Sequence, residues 1–391
     1  MDINKNICKS FAKNLFADPF DIKFWDGELI HFGNGESKFK IILNQPLSKS
    51  NILLNPSLTL GEAFMNKIID VEGSIEDVIE SFYNNKDNSL SNSSKFIGIK
   101  KLIKNNIGKS KENVQFHYDI GNDFYKLWLD ETMSYSCGYF KSPTDKLVDA
   151  QKNKINHILK KLNLKEGNTL LDIGCGWGEL IITAAKEYNI KSMGITLSSE
   201  QYKKVKERIE NEGLKDLVEV ELLDYRNLKN RKFDRIVSVG MIEHVGKDYI
   251  QEYFKTVYDL LNDNGISLVH GITGRNEFSV NSWLNKYIFP GGYLPSIVNL
   301  VNTITTEGFY LIDLESLRMH YAITLEHWTQ NFEKAMPEIE KIKDETFIRM
   351  WRLYLNACIA SFKSGNIDIH QLLFTKGVNN NLPLTRDYIY K

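Results

Sequence analysis

The stretch that decides the fold is "NTLLDIGCGWGE", residues 168–179, in which an apolar run leads into three alternate glycines. The apolar run predicts a buried strand, and "LIITAAKEY" behind the glycines predicts a helix. Gly174, Gly176 and Gly178 let the backbone come close to a ligand, and the start of the helix offers free N–H groups. The stretch therefore predicts a ligand-binding loop between a strand and a helix.

The alternation of strand and helix continues along the chain. Four more apolar runs follow, in the order "KSMGITL", "VEVELLD", "FDRIVSVGMIEH" and "ISLVHGI". The helix predicted from "DYIQEYFKTVYDLLNDNG" has Ile250, Phe254, Val257 and Leu261 on one face and a glycine as its stop. Repeated βα units predict an α/β fold with a doubly wound parallel sheet, whose ligands bind at the carboxyl ends of the strands.

The glycine spacing indicates which cofactor the loop binds. A dinucleotide fingerprint needs a small residue where this chain has Glu179, so nicotinamide and flavin are disfavoured. The pattern DxGxGxG after a first strand suits S-adenosylmethionine instead. At the end of the second strand, cofactor sites of this kind usually have an acidic residue that binds the ribose hydroxyls. This chain has Thr196 at that place instead, with Gln201 further on.

Composition excludes several classes of protein. The 391 residues are 42% hydrophobic and 25% charged with a net charge of −1, which is typical of a soluble protein and argues against nucleic-acid binding by charge. The four cysteines are far apart without a CxxC pair, which predicts neither a zinc site nor disulfides and favours a reducing cytoplasm. The N-terminus lacks a signal-peptide core, and the uncharged stretch 287–306 is broken by prolines and glycines. Any membrane attachment is therefore expected to be peripheral.

Three segments are expected along the chain. Residues 1–83 predict a small α+β domain, with a strand in "SKFKIILNQP" and short helices in "SLTLGEAFMNKIID" and "SIEDVIESFY". Residues 84–112 predict a linker that includes a stretch, 95–111, with six lysines and no acid. That stretch fits either a helix on an anionic bilayer or a solvated linker helix. Residues 113–391 are expected to form the catalytic domain.

Several motifs together resemble the cyclopropane-fatty-acyl-phospholipid synthases and the related mycolic acid cyclopropane synthases. They include "FHYDIGNDFYKLWLD", "MSYSCGYF", "LLDIGCGWG", "DRIVSVGMIEHVG" and "HYAITLEHW", within roughly residues 115–377. "LTLGEAFMNKIIDVEGSIEDV" resembles the N-terminal domain of the phospholipid-acting members. The resemblance implies a Rossmann-like class I S-adenosylmethionine-dependent methyltransferase sheet with a helical lid. It also implies a homodimer, associated peripherally with the inner face of the cytoplasmic membrane.

The resemblance also assigns a cofactor site and a reaction. The S-adenosylmethionine residues are expected to be Tyr135, Ser136, Gly174, Gly176, Gly178, Thr196, Leu197, Gln201, Asp224, Tyr225 and Arg226. The reaction adds a methylene bridge to the cis double bond of an unsaturated phospholipid acyl chain, through a carbocation that bound bicarbonate deprotonates. The bicarbonate holders are expected to be Cys137, Glu243, His270 and Tyr321, with the backbone around Ile272. No metal is implied.

Some assignments stay open on the sequence. Glu243 can hold an anion only through a shared proton or by orienting His270. Cys358 is marked by the resemblance, but it lies on an apolar helix face and fits a structural or pocket-lining role as well as a functional one. His244 is expected to be structural. The aromatic residues Trp283, Tyr287, Phe289 and Tyr293 fit either an acyl channel or ordinary core packing.

Other functions remain to be weighed. A related fatty-acyl methyltransferase would give methyl-branched or hydroxylated chains from the same cofactor site. A lipid-binding scaffold would be expected to have a damaged glycine loop, and the loop here is intact. Nucleic-acid methylation is disfavoured because no NPPY-type base pocket is present in the sequence.

Overall fold

The computed structural model of the protein describes residues 3–13, 15–85 and 120–390. The lysine-rich stretch at 95–111 and nearly all of the predicted linker lie outside these residues. The chain folds into two compact units. The first consists of Met1–Leu102, Phe278–Pro290 and Leu325–Ile367, and the second of Ile103–Glu277, Gly291–Thr324 and Asp368–Lys391.

Strands and helices are numbered along the described chain. The strands are β1 Phe20–Lys23, β2 Leu29–Phe32, β3 Phe39–Leu43, β4 Ile69–Glu72, β5 Thr169–Ile173, β6 Lys191–Thr196, β7 Val218–Leu222, β8 Phe233–Val239, β9 Leu261–Thr273, β10 Phe278–Ser279, β11 Tyr293–Leu294, β12 Phe309–Ser316 and β13 Asp368–Lys376. The helices are α1 Ile3–Ala12, α2 Lys49–Leu54, α3 Pro56–Met65, α4 Ile75–Asn84, α5 Asn122–Lys126, α6 Leu147–Lys161, α7 Glu179–Tyr188, α8 Ser199–Asn211, α9 Ile242–Val245, α10 Ile250–Leu260, α11 Ser282–Tyr287, α12 Ile297–Thr306, α13 Arg318–Lys334, α14 Met336–Ile339, α15 Glu345–Lys363 and α16 Asp387–Tyr390.

The first unit contains a four-stranded sheet in the order β2-β1-β3-β4. Strand β3 and helix α4 form where the sequence predicts them, and the Ser74 side chain caps α4 by accepting from the Asp77 N–H. The predicted helix over "SLTLGEAFMNKIID" is wrong at its end, because α3 stops at Met65 and β4 begins at Ile69. Lys67 adopts a left-handed backbone conformation with φ of 58°, which ends the helix and lets β4 pair with β3.

The first unit also takes in two segments that the sequence places in the catalytic domain, 278–290 and 325–367. Within this unit, Arg349 on α15 donates to the carbonyls of Phe64 (2.6 Å) and Ile69 (2.9 Å) and to the Asp70 carboxylate (2.6 Å). The Trp283 ring lies directly against Gly61, where an added Cβ would approach it to 2.3 Å. These contacts join parts of the chain that are more than 200 residues apart. No local sequence pattern can therefore predict them.

The second unit is built on a seven-stranded sheet in the order β12-β13-β9-β8-β5-β6-β7. The pairs β8–β9, β5–β8, β5–β6 and β6–β7 are parallel, whereas β13 runs antiparallel to β9 and β12. The doubly wound α/β fold is therefore confirmed, with one antiparallel strand that the sequence did not predict. The strand order reverses at β5, so the crevice beside the carboxyl ends of β5 and β8 is the expected binding place.

One helix of this unit is shorter than predicted. Helix α10 ends at Leu260, and Leu261 begins β9, where it pairs with Phe233. Leu261 is fully buried in the core between sheet and helix. Its apolar side chain is therefore compatible with the predicted helix as well as with the observed strand. Within the described ranges, no helix is both long and apolar enough to cross a bilayer.

Candidate cofactor site and active site

The glycine loop follows β5 and is tied to the neighbouring strand. The N–H groups of Gly174 and Cys175 both donate to the Ile195 carbonyl, at 2.9 and 3.0 Å. Gly178 begins α7 with φ of +86°, and a Cβ on it would come within 2.9 Å of Val205 Cγ1. Gly178 is thus needed for backbone conformation and for packing of the loop against α8.

A cavity opens above this loop at the carboxyl ends of β5, β6, β7 and β8. It is lined by ten of the eleven predicted cofactor residues: Tyr135, Ser136, Gly174, Gly176, Thr196, Leu197, Gln201, Asp224, Tyr225 and Arg226. The eleventh, Gly178, does not line the cavity, because its Cα faces Val205. The structure therefore brings these ten residues, from four separate stretches of the chain, to one concave site.

Thr196 and Gln201 occupy the place of the usual ribose-binding acid. The Thr196 hydroxyl donates to Gln201 Oε1 at 2.8 Å and accepts from the Ser198 N–H at 3.2 Å. Because the amide oxygen is engaged by Thr196, the orientation of the Gln201 amide is fixed from within the fold. A neutral amide at this position can meet ribose hydroxyls by hydrogen bonds without adding a buried charge.

Asp224 and Arg226 form a closed ion pair on the far side of the cavity. Arg226 Nε and Nη2 donate to the two Asp224 oxygens at 2.9 and 2.8 Å, and the Arg226 backbone N–H also donates to Asp224. The guanidinium lies near the faces of Tyr225 and Tyr249, with separations of 5.4 and 5.5 Å. The pair makes a flat, rigid wall suited to a planar ring system.

The segment with Tyr135 and Ser136 is held by two helices. The Tyr135 ring packs on Tyr125 of α5 at 5.3 Å and on Trp128 at 5.4 Å. From α6, the fully buried Gln151 donates to the Ser136 carbonyl at 2.9 Å, and Lys154 Nζ donates to the Ser136 hydroxyl at 2.8 Å. The predicted lid segment is therefore fixed to α6 in this structure.

Glu243 lies at the start of α9, directly after β8. Its Oε1 accepts from the Ile272 N–H at 2.5 Å, and its Oε2 has no hydrogen-bond partner among the described residues. Burial raises the pKa of this carboxyl to about 7. Glu243 can therefore carry a proton near neutral pH.

His270 lies on β9, beside the end of β8, and is fully buried. Its Nδ1 accepts from the Gln371 amide nitrogen at 3.1 Å, and its Nε2 has no hydrogen-bond partner within the described chain. Burial lowers the pKa of His270 to about 3, so the ring is neutral. An Nδ1 that accepts leaves the proton on Nε2, which is then a buried donor without a partner in the described chain.

Cys137 and the backbone of Tyr321 both approach the Leu317 carbonyl, just before α13. The Cys137 thiol, which is fully buried, lies 3.9 Å from the Leu317 carbonyl, and the Tyr321 N–H donates to that same carbonyl at 3.1 Å. The Leu317 N–H in turn donates to Ile369 on β13, two residues before Gln371. Burial raises the pKa of the Cys137 thiol far above its ordinary value, so it acts as a neutral S–H group.

Other predicted residues have different surroundings. Cys358 belongs to α15 in the first unit, and burial raises the pKa of its thiol to about 12. His244, for which a structural role is predicted, lines the cofactor cavity. Of the aromatic residues, Trp283 donates to Met65, Tyr287 donates to Glu62 and Phe289 packs on Tyr354, all within the first unit.

Three polar residues of the site were missed by sequence reasoning, namely Gln151, Lys154 and Gln371. The first two lie on the lysine-rich helix α6, where a polar residue ordinarily faces solvent. Gln371 lies on β13, a strand that no pattern in the sequence predicts. Nothing in their local sequence distinguishes them from solvated residues.

The seven-stranded sheet, the glycine loop and the cavity above it define a class I S-adenosylmethionine-dependent methyltransferase. The sequence model of the family described as mycolic acid cyclopropane synthetase matches residues 105–372. The chain belongs to this family, a group of S-adenosylmethionine-dependent enzymes that includes cyclopropane synthases and fatty acid methyltransferases. Residues 7–94 match a domain family of unknown function.

Known relatives agree with this assignment. A probable fatty acid methyltransferase of Pseudomonas putida is 36% identical over 95% of this chain and 96% of its own. The cyclopropane-fatty-acyl-phospholipid synthase of Escherichia coli K12 is 43% identical over 69% of each chain. The structure of mycolic acid cyclopropane synthase CmaA1, solved with SAH and CTAB, aligns with a TM-score of 0.65 at 34% identity, over 68% of this chain and 98% of that one.

Proposed function

We propose that this enzyme transfers the methyl group of S-adenosylmethionine to the cis double bond of an acyl chain in a phospholipid and closes a cyclopropane ring there. Two buried polar atoms, Glu243 Oε2 and His270 Nε2, carry the proposal, because neither has a hydrogen-bond partner among the described residues. An alkene has no acidic proton to lose before methyl transfer, so a base is needed only afterwards. Unpartnered polar atoms at neighbouring strand ends suit a small oxyanion.

The residues present fit a bicarbonate ion, which when bound would supply the base for the proton that the transferred methyl group gives up. His270 can donate to such an anion from Nε2, since Gln371 occupies Nδ1. Glu243 can donate from Oε2 when protonated, and burial raises its pKa to about 7. Because Glu243 bonds to Ile272 and Gln371 orients His270, a shared proton on Glu243 is favoured over a role in orienting the histidine.

An apolar cavity of about 650 Å³ in the first unit supports a lipid substrate. Aliphatic and aromatic side chains form most of its lining, among them Ile22, Ile41, Leu43, Leu60, Phe64, Val78, Phe82 and Leu353. A cavity of this size and character suits an alkyl chain better than a polar ligand. We propose that residues 1–83 serve as a lipid-associated domain, joined by the 84–112 linker to a catalytic domain at 113–391.

A second candidate is a fatty-acyl methyltransferase that yields methyl-branched or hydroxylated chains. The Pseudomonas putida relative, whose similarity spans both units, is described as a probable fatty acid methyltransferase. The same cofactor site serves either product. The difference lies in how the carbocation is quenched, and the Glu243–His270 arrangement favours proton loss over addition of water.

One experiment separates these outcomes. Purified enzyme is mixed with vesicles of a cis-monounsaturated phospholipid and methyl-labelled S-adenosylmethionine, with bicarbonate present or removed, and the acyl chains are read by mass spectrometry before and after hydrogenation. A gain of one CH₂ that resists hydrogenation and depends on bicarbonate supports the proposal. A gain that takes up two further hydrogens indicates a methyl branch with a double bond, and an added hydroxyl indicates hydration. Bound cofactor without lipid labelling contradicts the proposal.

The lipid role of the first unit has its own test. Leu353→Trp fills the apolar cavity from α15, whereas Thr346→Trp places the same bulk on an exposed position of that helix. The first variant should raise the KM for vesicle lipid several-fold, and the second should leave it unchanged. Equal kinetics for both variants would remove the cavity from the proposal.

The proposed function also includes a location in the cell and an oligomeric state. We propose that the enzyme is cytoplasmic, attaches peripherally to the inner face of the membrane and acts as a homodimer that binds two lipid sites at once. Vesicle co-sedimentation and light scattering of the purified protein test these points. A monomer with full activity on vesicles would contradict the dimer.

A further inference from the structure

Helix α13 holds the segment 134–140 through two side chains that lie one turn apart, Thr324 and His320. The Gly138 N–H donates to the Thr324 hydroxyl at 2.9 Å, and the Phe140 N–H donates to His320 Nδ1 at 3.0 Å. Thr324 is fully buried, and its hydroxyl in turn donates to the His320 carbonyl at 2.7 Å. Both acceptors for the segment therefore come from one face of one helix.

Helix α6 supplies further contacts to the same segment. The Tyr139 N–H, which lies between the two N–H groups bound by α13, donates to the Ala150 carbonyl at 2.9 Å. The Tyr139 ring stacks on His157 of α6 at 4.1 Å and on His320 at 4.9 Å. The Ser136 carbonyl and hydroxyl also accept from side chains of α6. The segment is therefore clamped between α6 and α13, and a shift of either helix would move it.

The two contacts from α13 depend on specific acceptor atoms. His320 can accept from Phe140 only while its Nδ1 carries no proton. Burial lowers the pKa of His320, so its ring is neutral at pH 7 and the proton lies on Nε2. An apolar side chain of similar shape, at position 320 or at Thr324, would leave an N–H group of the segment without its acceptor, which is the costly way to lose a hydrogen bond.

The clamped segment leads directly into the cofactor cavity. Ser134, Tyr135 and Ser136 line that cavity. Cys137 follows them, and its buried thiol lies 3.9 Å from the Leu317 carbonyl, just before α13. The N–H groups that α13 binds are therefore only two and four residues beyond the cavity lining, so a change in the path of the chain there would displace the lining as well.

We infer that Thr324 and His320 are positioning residues for methyl transfer, because their bonds to Gly138 and Phe140 hold the cavity-lining part of the segment in the conformation that binds S-adenosylmethionine. Neither residue lines the cavity, so both act on the cofactor through the segment. Their effect on affinity follows the fraction of molecules in which the segment is in place. It does not depend on the proposed phospholipid substrate or on bicarbonate, so failure of that chemistry would leave it unchanged.

Thr324 is tested in the full-length protein with two variants. Thr324→Val keeps the shape of the side chain but removes the acceptor, whereas Thr324→Ser keeps the hydroxyl. Calorimetry with S-adenosylhomocysteine should give a Kd about 5- to 50-fold higher for Thr324→Val and within about threefold of wild type for Thr324→Ser. Hydrogen exchange, read by mass spectrometry, should become faster in the peptide that contains residues 134–140 for Thr324→Val alone.

Thr329→Val makes the same chemical change further along α13 and serves as the control. The Thr329 hydroxyl donates to the Leu325 carbonyl of its own helix at 2.9 Å. This variant should match wild type both in affinity for S-adenosylhomocysteine and in exchange of the peptide that contains residues 134–140.

His320 provides an independent test, because its ring and its acceptor can be removed separately. His320→Phe keeps a ring against Tyr139 but has no acceptor, whereas His320→Asn offers its amide oxygen in place of Nδ1 and has no ring. Affinity for S-adenosylhomocysteine should fall about 5- to 50-fold in His320→Phe and stay within about fivefold of wild type in His320→Asn. The reverse order would mean that stacking on Tyr139 holds the segment, and would overturn the role of the bond to Phe140.

Other results would overturn the inference as a whole. A lower Tm with unchanged affinity and exchange in Thr324→Val and His320→Phe would show that both residues serve only stability. Equal losses of affinity in Thr324→Val and Thr324→Ser would show that the hydroxyl is not what matters. If Thr324→Val fails to fold, the two His320 variants decide.

Discussion

His270 and Gln371 lie opposite each other across the β9–β13 pair, with the Gln371 amide nitrogen 3.1 Å from His270 Nδ1. This single contact sets the tautomer of the buried imidazole and leaves the Nε2 proton without an acceptor among the described residues. Neither residue lines the cofactor cavity. Under the proposed function, this contact would therefore affect the chemistry at the acyl chain without affecting the binding of the cofactor.

Replacing Gln371 tests that separation. Gln371→Met should lower kcat by about 10- to 100-fold, because the imidazole is no longer held in the donating tautomer. Affinity for S-adenosylhomocysteine should stay the same. Thr375→Val, a buried polar-to-apolar change on the same strand, should keep kcat within about threefold of wild type. Wild-type turnover in Gln371→Met would show that the contact does not matter for catalysis.

Glu243 should impose a pH dependence on folding stability. Its pKa rises from 4.5 to about 7 on folding, so the folded state binds the proton more tightly and stability falls as pH increases between these values. Glu243→Gln removes this dependence. Measured by urea unfolding, the stability of Glu243→Gln relative to wild type should therefore increase from pH 5 to pH 8, by up to about 3 kcal/mol.

Glu252→Gln, at an exposed position of α10, provides the control for that measurement and should leave the pH dependence as it is in wild type. A constant difference between Glu243→Gln and wild type across the pH range would mean that Glu243 is ionised in the folded protein.

Cys358 should behave as a packing residue. Burial raises the pKa of its thiol to about 12, so almost none of it is thiolate at pH 8. Cys358→Ala should retain activity within about threefold of wild type, and mass spectrometry should find Cys358 unlabelled by iodoacetamide until the protein is unfolded. Rapid labelling of the folded enzyme together with inactivation would restore a functional role.

Arg349 should contribute strongly to the stability of the first unit. Its guanidinium makes three hydrogen bonds within that unit and lies 4.1 Å from the Phe64 ring centre. Arg349→Met should cost about 2–3 kcal/mol, because it removes the donor to the Phe64 and Ile69 carbonyls and to the part-exposed Asp70 carboxylate. Arg352→Met removes an ion pair with Glu333 that is largely exposed to solvent, and should cost less than about 1 kcal/mol. Similar losses for the two variants would show that the first unit does not depend on α15.

Much of the second unit could be predicted from the sequence, because most of its strands and helices can be recognised from short, continuous stretches of residues. The strands β5 to β9 contain short apolar runs that alternate with helices, and the loop at Gly174 has the glycine spacing of a cofactor loop. Strand β13 is different, because it is antiparallel and distant in sequence from its partner β9, and its role depends on register rather than composition. Gln371 could not be predicted for that reason, whereas Lys154 could not be predicted because it lies on a lysine-rich helix whose polar residues ordinarily face solvent.

The division of the chain was harder to predict for a similar reason. The family match treats residues 105–372 as one continuous stretch, yet 278–290 and 325–367 form part of the same compact unit as the N-terminal residues. Contacts such as Arg349 with Phe64 join positions 285 residues apart. Pairings over such separations leave no periodicity in the sequence. The glycine loop, in contrast, can be recognised from twelve consecutive residues, 168–179.

The interleaved first unit has a consequence for how the protein is made. Its sheet and first four helices have all left the ribosome once residue 84 is clear, but the Arg349 donors and the Trp283 ring come much later. At ~5–20 residues per second, synthesis of residues 86–367 takes roughly 15 to 60 seconds. During that interval the apolar walls of the cavity lack α11 and α15, so apolar surface of the first unit stays uncovered until the last third of the chain has been translated.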